Sequence, residues 1–187
     1  MRPIVHAVEQ EYRRYKSMTE RAAAQLDDAQ LHTPAAGDGN TVAVLMGHLG
    51  GNLASRFTDF LTTDGEKPWR QREEEFARTG APRAEVLAVW ERGWTVLLDT
   101  LADLNDADLA RTITIRGVEL SVIEALQRSL AHVAYHVGQA VMLARGLRGE
   151  AWEFLTIPPG GSDAYNAAPT MEKPADHAGR LEKGRGR

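Results

Sequence analysis

SLAHVAYHVGQAV, residues 129–141, places two histidines four apart in a stretch whose apolar residues recur at helical spacing. Positions i and i+4 lie one turn apart on one helix face, so His132 and His136 point the same way, a spacing that suits two ligands on one metal. On a projection of about 100° per residue they share an arc with Ala125, Ser129, Ala140 and Leu143, at the border of the apolar face. A hydrogen-bonded histidine pair at a bundle edge would look the same, so a third ligand has to decide.

Ser121 starts this helix, which is expected to run to about Gly146. Just before it, RTITIRG (Arg111 to Gly117) alternates β-branched and polar residues and reads as a short extended segment. Upstream, Val86, Leu87, Trp90, Trp94, Leu97, Leu98 and Leu101 predict a third helix over 83–101. A second helix is expected from about Thr41 to Thr62, between the loop LHTPAAGDGN and the break at DGEKP. A first, over 3–30, carries Ile4, Val8, Tyr12, Tyr15, Met18 and Ala22. WRQREEEFARTGAP, between helices two and three, reads as a polar loop long enough for a crossover. Four long helices imply an all-α fold, a four-helix bundle with a short extended segment before the last helix and a C-terminal arm. The arm holds Trp152, Phe154, Leu155 and Ile157 and is expected to dock, giving one domain over 1–166. Residues 167–187 read as a disordered polar tail; the stretch 173–187 holds five basic and two acidic residues.

The 187 residues include no cysteine, which excludes disulfides, Cys-ligated zinc and a Cys nucleophile and leaves His, Asp and Glu for metal or acid–base chemistry. A formal charge of −4 lacks the basic footprint of a nucleic-acid binder. No apolar run is long enough for a signal peptide or a membrane span, so a cytoplasmic protein without nucleic-acid or membrane partners is expected.

His48, in VLMGHLGGNLASRFTDF, offers the third ligand. The helical projection places Thr41, His48, Asn52, Ser55 and Asp59 in a polar stripe beside Leu45, Leu49, Leu53 and Phe60. Unpaired buried polar groups are costly, so the stripe either faces solvent or serves a shared polar site. Gly47, Gly50 and Gly51 around His48 favour a close helix approach or room for a ligand. Three imidazoles from two helices leave a coordination position open, as catalytic zinc sites do. Zinc or nickel comes first, with iron and manganese open, and Asn52, Asp59 and Gln139 are candidates for orienting ligands or bound solvent.

MGHLGGNLASRFTDFLTTDGEKPWRQREEEF, HVAYHVGQAV and LTIPPGGSDAYN together resemble the DinB-like superfamily, and within it a branch carrying the TDGEKPWR loop, over about residues 5–167. The resemblance implies a four-helix bundle that binds a divalent metal through His48, His132 and His136. It also implies thiol activation, since some relatives use low-molecular-weight thiols, and homodimers built through bundle faces. Relatives in this branch often carry a histidine just after the IRG segment, where this chain has Leu120. Lys67, Arg70 or Arg72 of the charged loop, and Arg56 beside it, are candidates for binding an anionic substrate or cofactor.

Two functions follow as expectations. One is a metal-dependent enzyme that activates a thiol or water for transfer to, or hydrolysis of, a small electrophilic substrate. The other is a non-catalytic, metal-stapled homodimeric binding or stress-response protein.

Overall fold

Proline in the first turn opens α1 (Pro3–Ala24), the first of eight α-helices among residues 1–34, 39–77 and 80–183, which the computed structural model describes. A reciprocal cap between Asp27 and Gln30 closes the single turn of α2 (Asp28–Leu31). Thr41 caps α3 (Val42–Phe57), its hydroxyl accepting from the Val44 N–H at 3.1 Å. Next come α4 (Arg72–Ala77) and α5 (Arg83–Asp103). The antiparallel strands β1 (Thr112–Ile115) and β2 (Val118–Ser121) pair Ile115 with Val118. Ser121 and Glu124 then form a capping box for α6 (Val122–Arg148), and α7 (Ser162–Ala167) and α8 (Pro174–Lys183) follow. The fold is all-α, with one two-stranded sheet among the described residues.

α1 and α3 each pack against both α5 and α6. The four long helices therefore form a ring in which α1 faces α3, and α5 faces α6, across a core centred on Tyr12, Leu49, Leu53, Trp90, Trp94 and Leu126. The long link between α3 and α5 joins neighbours, so the diagonal crossings fall on the α1–α3 and α5–α6 connections instead. Among the described residues no helix is long and apolar enough to cross a membrane.

Several boundaries differ from expectation for local reasons. The first helix breaks before residue 28, where Asp27 caps α2. Val5 rather than Ile4 enters the core, because Asp106 takes both backbone N–H groups of Ile4 and Val5 and sets the entry of the chain. The second helix ends at Phe57 rather than Thr62: Thr58 is extended, its hydroxyl donates back to Ala54 O at 2.7 Å, and Asp59 has φ of 48°. The expected extended segment is one half of a hairpin whose two turn residues, Arg116 and Gly117, both have positive φ (55° and 72°), the signature of a tight type I′ connection.

The tail departs most. Within the expected disordered stretch 167–187, α8 folds onto α1, burying Ala178, Leu181 and His177, whose Nε2–H donates to Leu155 O at 2.7 Å. An apolar stripe one turn wide, together with Ser17 donating to Glu182, gives this charged segment a docking face that its composition hides. In the arm Trp152 and Leu155 are buried, while Phe154 stays outside beneath Arg145. Gly37 and Asp38 of the first loop, and residues 184–187, lie outside the described residues.

Two of the helix-two glycines have opposite duties. A Cβ on Gly50 would meet Val89 O at 2.5 Å, and one on Gly93 would collide with Gly50 backbone, so the α3–α5 crossing needs both. Gly47 has nothing within 4 Å of such a Cβ. Gly50→Ala is therefore expected to cost about 1–3 kcal/mol or more by overpacking, whereas Gly47→Ala should gain up to about 1 kcal/mol of helix propensity; urea unfolding of the two variants checks the contrast.

The loop of residues 58–71 is fixed to the hairpin by Asp64. Its carboxylate accepts from the backbone N–H groups of Glu66 (2.7 Å), Arg116 (2.8 Å) and Gly117 (2.8 Å). Those bonds hold its pKa down to about 2 from an ordinary 3.8. A depressed carboxyl stabilises the fold above its unfolded pKa and loses that contribution as pH falls towards the folded one. Stability is expected to drop between pH 3.8 and about 2, and Asp64→Asn should flatten this part of the pH profile in acid-unfolding experiments.

Candidate metal centre

His48 is buried on α3, and His132 and His136 project from α6 towards it. One ligand nitrogen from each of the three lies within 4.8 Å of the others, close enough to hold a metal ion together. The ring centroids stand 5.3 Å (His48–His132), 4.9 Å (His48–His136) and 4.6 Å (His132–His136) apart.

The protons can be placed from the partners. Glu75 Oε2 lies 2.8 Å from His48 Nδ1, and a carboxylate only accepts, so Nδ1 carries a proton, and it is Nε2 that can offer a lone pair to a metal. Gln139 Oε1, 2.8 Å from His136 Nδ1, does the same for the second ring. His48 Nε2 then faces His132 Nε2 at 3.3 Å. Unless His132 turns an N–H to it, two lone pairs meet, an arrangement that a shared cation relieves. Three imidazole nitrogens from two helices are a donor set that fits a metal ion.

Glu75 is the residue that sequence reasoning missed. It sits on α4, inside the stretch read as polar loop, and its carboxylate also takes a two-pronged contact from Arg70: Nε to Oε1 and Nη2 to Oε2, both 2.8 Å. The Arg70 side chain is only 2% exposed. Burial pushes the Glu75 carboxyl up, but the hydrogen bonds it accepts from Arg70 and His48, with the Arg70 charge, win and hold its pKa below the ordinary value. Phe76, next along, stacks on His48 at 4.7 Å. The one available signal was general: a ligating histidine takes a carboxylate or carbonyl on its other nitrogen. The run Glu73–Glu75 supplied candidates without saying which. Gly51 makes the room, since a Cβ there would strike the Glu75 carboxylate.

The two α6 imidazoles are biased towards the neutral form. Burial, then the neighbouring His136 and His48, then the guanidinium groups of Arg70 and Arg56, push the His132 pKa down to about 4. Burial also lowers His136, against the opposing hydrogen bond it donates to Gln139. Neutral imidazoles are the ligating form.

The other sequence candidates fall in three places. Asn52 lines the same cleft, of about 230 Å³, as the three histidines. Gln139 orients His136 from the neighbouring turn. Asp59 does not join them: with α3 ended at Phe57 it lies in an exposed turn, where its carbonyl accepts from Thr62 and Thr63 N–H. Arg56 and Arg70 both line the cleft, but their forks are engaged, Arg56 on Gly65 O and Glu66, Arg70 on Glu75. Lys67 is buried in its own loop, donating to Thr63 Oγ1 at 2.7 Å and to Asp64 O. Arg72 lies over the Phe76 ring. Among the described residues, none of the C-terminal arm lines the cleft.

A helical bundle with three histidines converging at a cleft between two of its long helices is the arrangement that the resemblance to the DinB-like superfamily implies. The sequence model of a family described as Protein of unknown function (DUF1572), one of the DinB-like families, matches residues 1–161, and the chain belongs to that family. No curated protein and no solved structure matches it.

Glu75→Gln keeps the shape of the side chain but removes the charge that holds both Arg70 and His48. Metal affinity is expected to fall about 10- to 100-fold, read by chelator competition. The metal-free protein should lose up to about 3–5 kcal/mol, because the Arg70 charge stays buried without its counterion. An unchanged affinity would remove Glu75 from the centre.

Proposed function

We propose that this protein is a metal-dependent enzyme that activates a thiol or water for attack on a small electrophilic substrate. The observation that carries the reading is the convergence of three imidazoles on one point at the wall of a cleft, with two of them fixed from behind by Glu75 and Gln139. A divalent cation bound there would lower the pKa of a thiol or water at its open position. Around it, the chain's own residues bind, orient and exclude. Glu75 keeps the proton on His48 Nδ1, and Gln139 keeps it on His136 Nδ1, so each Nε2 stays directed inwards. Asn52 stands beside them as a hydrogen-bonding group for the bound molecule. Phe57, Phe60, Phe76 and Ile115 give the cleft an apolar wall that limits access of bulk water.

The reading places the chain in the DinB-like branch that carries the TDGEKPWR loop, with a low-molecular-weight thiol as co-substrate, in the cytoplasm and as a homodimer. Tyr135 and Met142, exposed on the outer side of α6, support a pairing face.

Metal analysis by mass spectrometry on protein purified without chelator is the test. The expected result is zinc or nickel at close to one per chain, lost in both His48→Ala and His132→Ala. The loaded protein should then accelerate conjugation of a small thiol to 1-chloro-2,4-dinitrobenzene, or hydrolysis of 4-nitrophenyl acetate, and the metal-free protein should not. Absence of bound metal after reconstitution would sink the proposal.

A further inference from the structure

Five arginines line the cleft, and four of them have carboxylate partners. Arg56 and Arg116 share Glu66, Arg70 is clamped on Glu75, and Arg72 pairs with Glu73. Arg128 is different. It is exposed, lines the cleft, and makes no hydrogen bond or ion pair among the described residues. On α6 it lies four residues before His132 and eight before His136, on the same helix face, so its Cα stands about 6 Å along the axis from that of His132. Its charge opens onto the space that the three imidazoles face, beside the apolar wall of Phe57, Phe60 and Ile115.

We infer that the cleft takes a small organic monoanion, a carboxylic acid with an apolar or aromatic body, whose carboxylate is held by Arg128 and whose body lies against Phe57, Phe60 and Ile115. The assignment rests on the proposed function for its chemical purpose, but not for its binding. A planar guanidinium matches a carboxylate in a two-pronged contact. One uncompensated guanidinium answers a single negative charge, whereas a phosphate dianion would call for the forks that Glu66, Glu73 and Glu75 already hold. Low-dielectric walls strengthen the field that draws such an anion in. With its carboxylate on Arg128, a molecule a few bonds long reaches the turn that carries His132, which puts its reacting atoms beside the metal centre.

The probes are phenylacetate, 3-phenylpropionate and 4-phenylbutyrate with their neutral amides, titrated into the full chain by calorimetry and ligand-observed NMR. Metal-free and zinc-loaded protein are compared, so that direct carboxylate–metal contact is told apart from binding at Arg128. At least one acid is expected to bind the metal-free protein at least about tenfold more tightly than its amide. Arg128→Gln should remove that preference with zinc stoichiometry unchanged, and Arg128→Lys should restore part of it. Acids that bind no better than amides, or equally well to Arg128→Gln, would overturn the inference. Binding through Arg128 in a protein that never retains metal would instead uphold the anion site and refute the metalloenzyme reading.

Discussion

The carboxylate of Glu75 is the hinge of this structure. It takes both prongs of a buried arginine and the Nδ1 proton of a buried histidine, and these two donors come from different segments of the chain. Removing a carboxylate from water costs several kcal/mol, and two charge-assisted contacts offset that cost only where all three groups are held in register. Gly51 allows the approach, Phe76 packs the next position against His48, and Asp64 ties the preceding loop to the hairpin. The loop between α3 and α5 is thereby an integral part of the site, although it contributes no nitrogen to the histidine cluster.

What the sequence made legible follows from periodicity. The i, i+4 histidine pair and the apolar spacing of the long helices are local patterns, and local patterns survive into the fold: His132 and His136 share a face, and Val86, Trp90, Trp94, Leu97 and Leu101 are buried together. His48 could be chosen because a polar group inside an apolar helix demands a partner. Glu75 could not be chosen, because its role comes from a contact 27 residues away in sequence. Asp59 was misplaced for a related reason. The projection assumes that the helix continues, but it ends at Phe57, two residues before Asp59, with Thr58 extended and its hydroxyl bonding back to Ala54. The helix in the tail was hidden because a segment this charged docks only where a complementary surface exists, and that surface belongs to α1.

The ring of helices explains why the site lies where it does. Because α1 faces α3 and α5 faces α6 across the core, α3 meets α5 on one side and α6 on the other. Gly50 and Gly93 bring α3 and α5 into backbone contact. His48, two residues before Gly50, turns instead towards α6, and the α3–α6 side opens into the cleft lined by Asn52, Ser129 and the histidines. Tight packing on one side of α3 and a cavity on the other are thus two outcomes of one sequence, MGHLGGN.

A cluster of guanidinium groups beside a cation site looks contradictory, since positive charge should repel a metal. The carboxylates resolve it. Glu66 stands between Arg56 and Arg116 and Glu75 holds Arg70, so most of that charge is neutralised at hydrogen-bonding distance. What reaches the imidazoles is a residual positive field, which joins burial in keeping His132 unprotonated. The field therefore acts against the competing proton, which would occupy the same lone pair as a metal. On the cleft face Arg128 adds a charge that has no counterion among the described residues. An anion entering there would complete the local charge balance, and the positive field that helps keep His132 unprotonated also favours negative charge in the space before it.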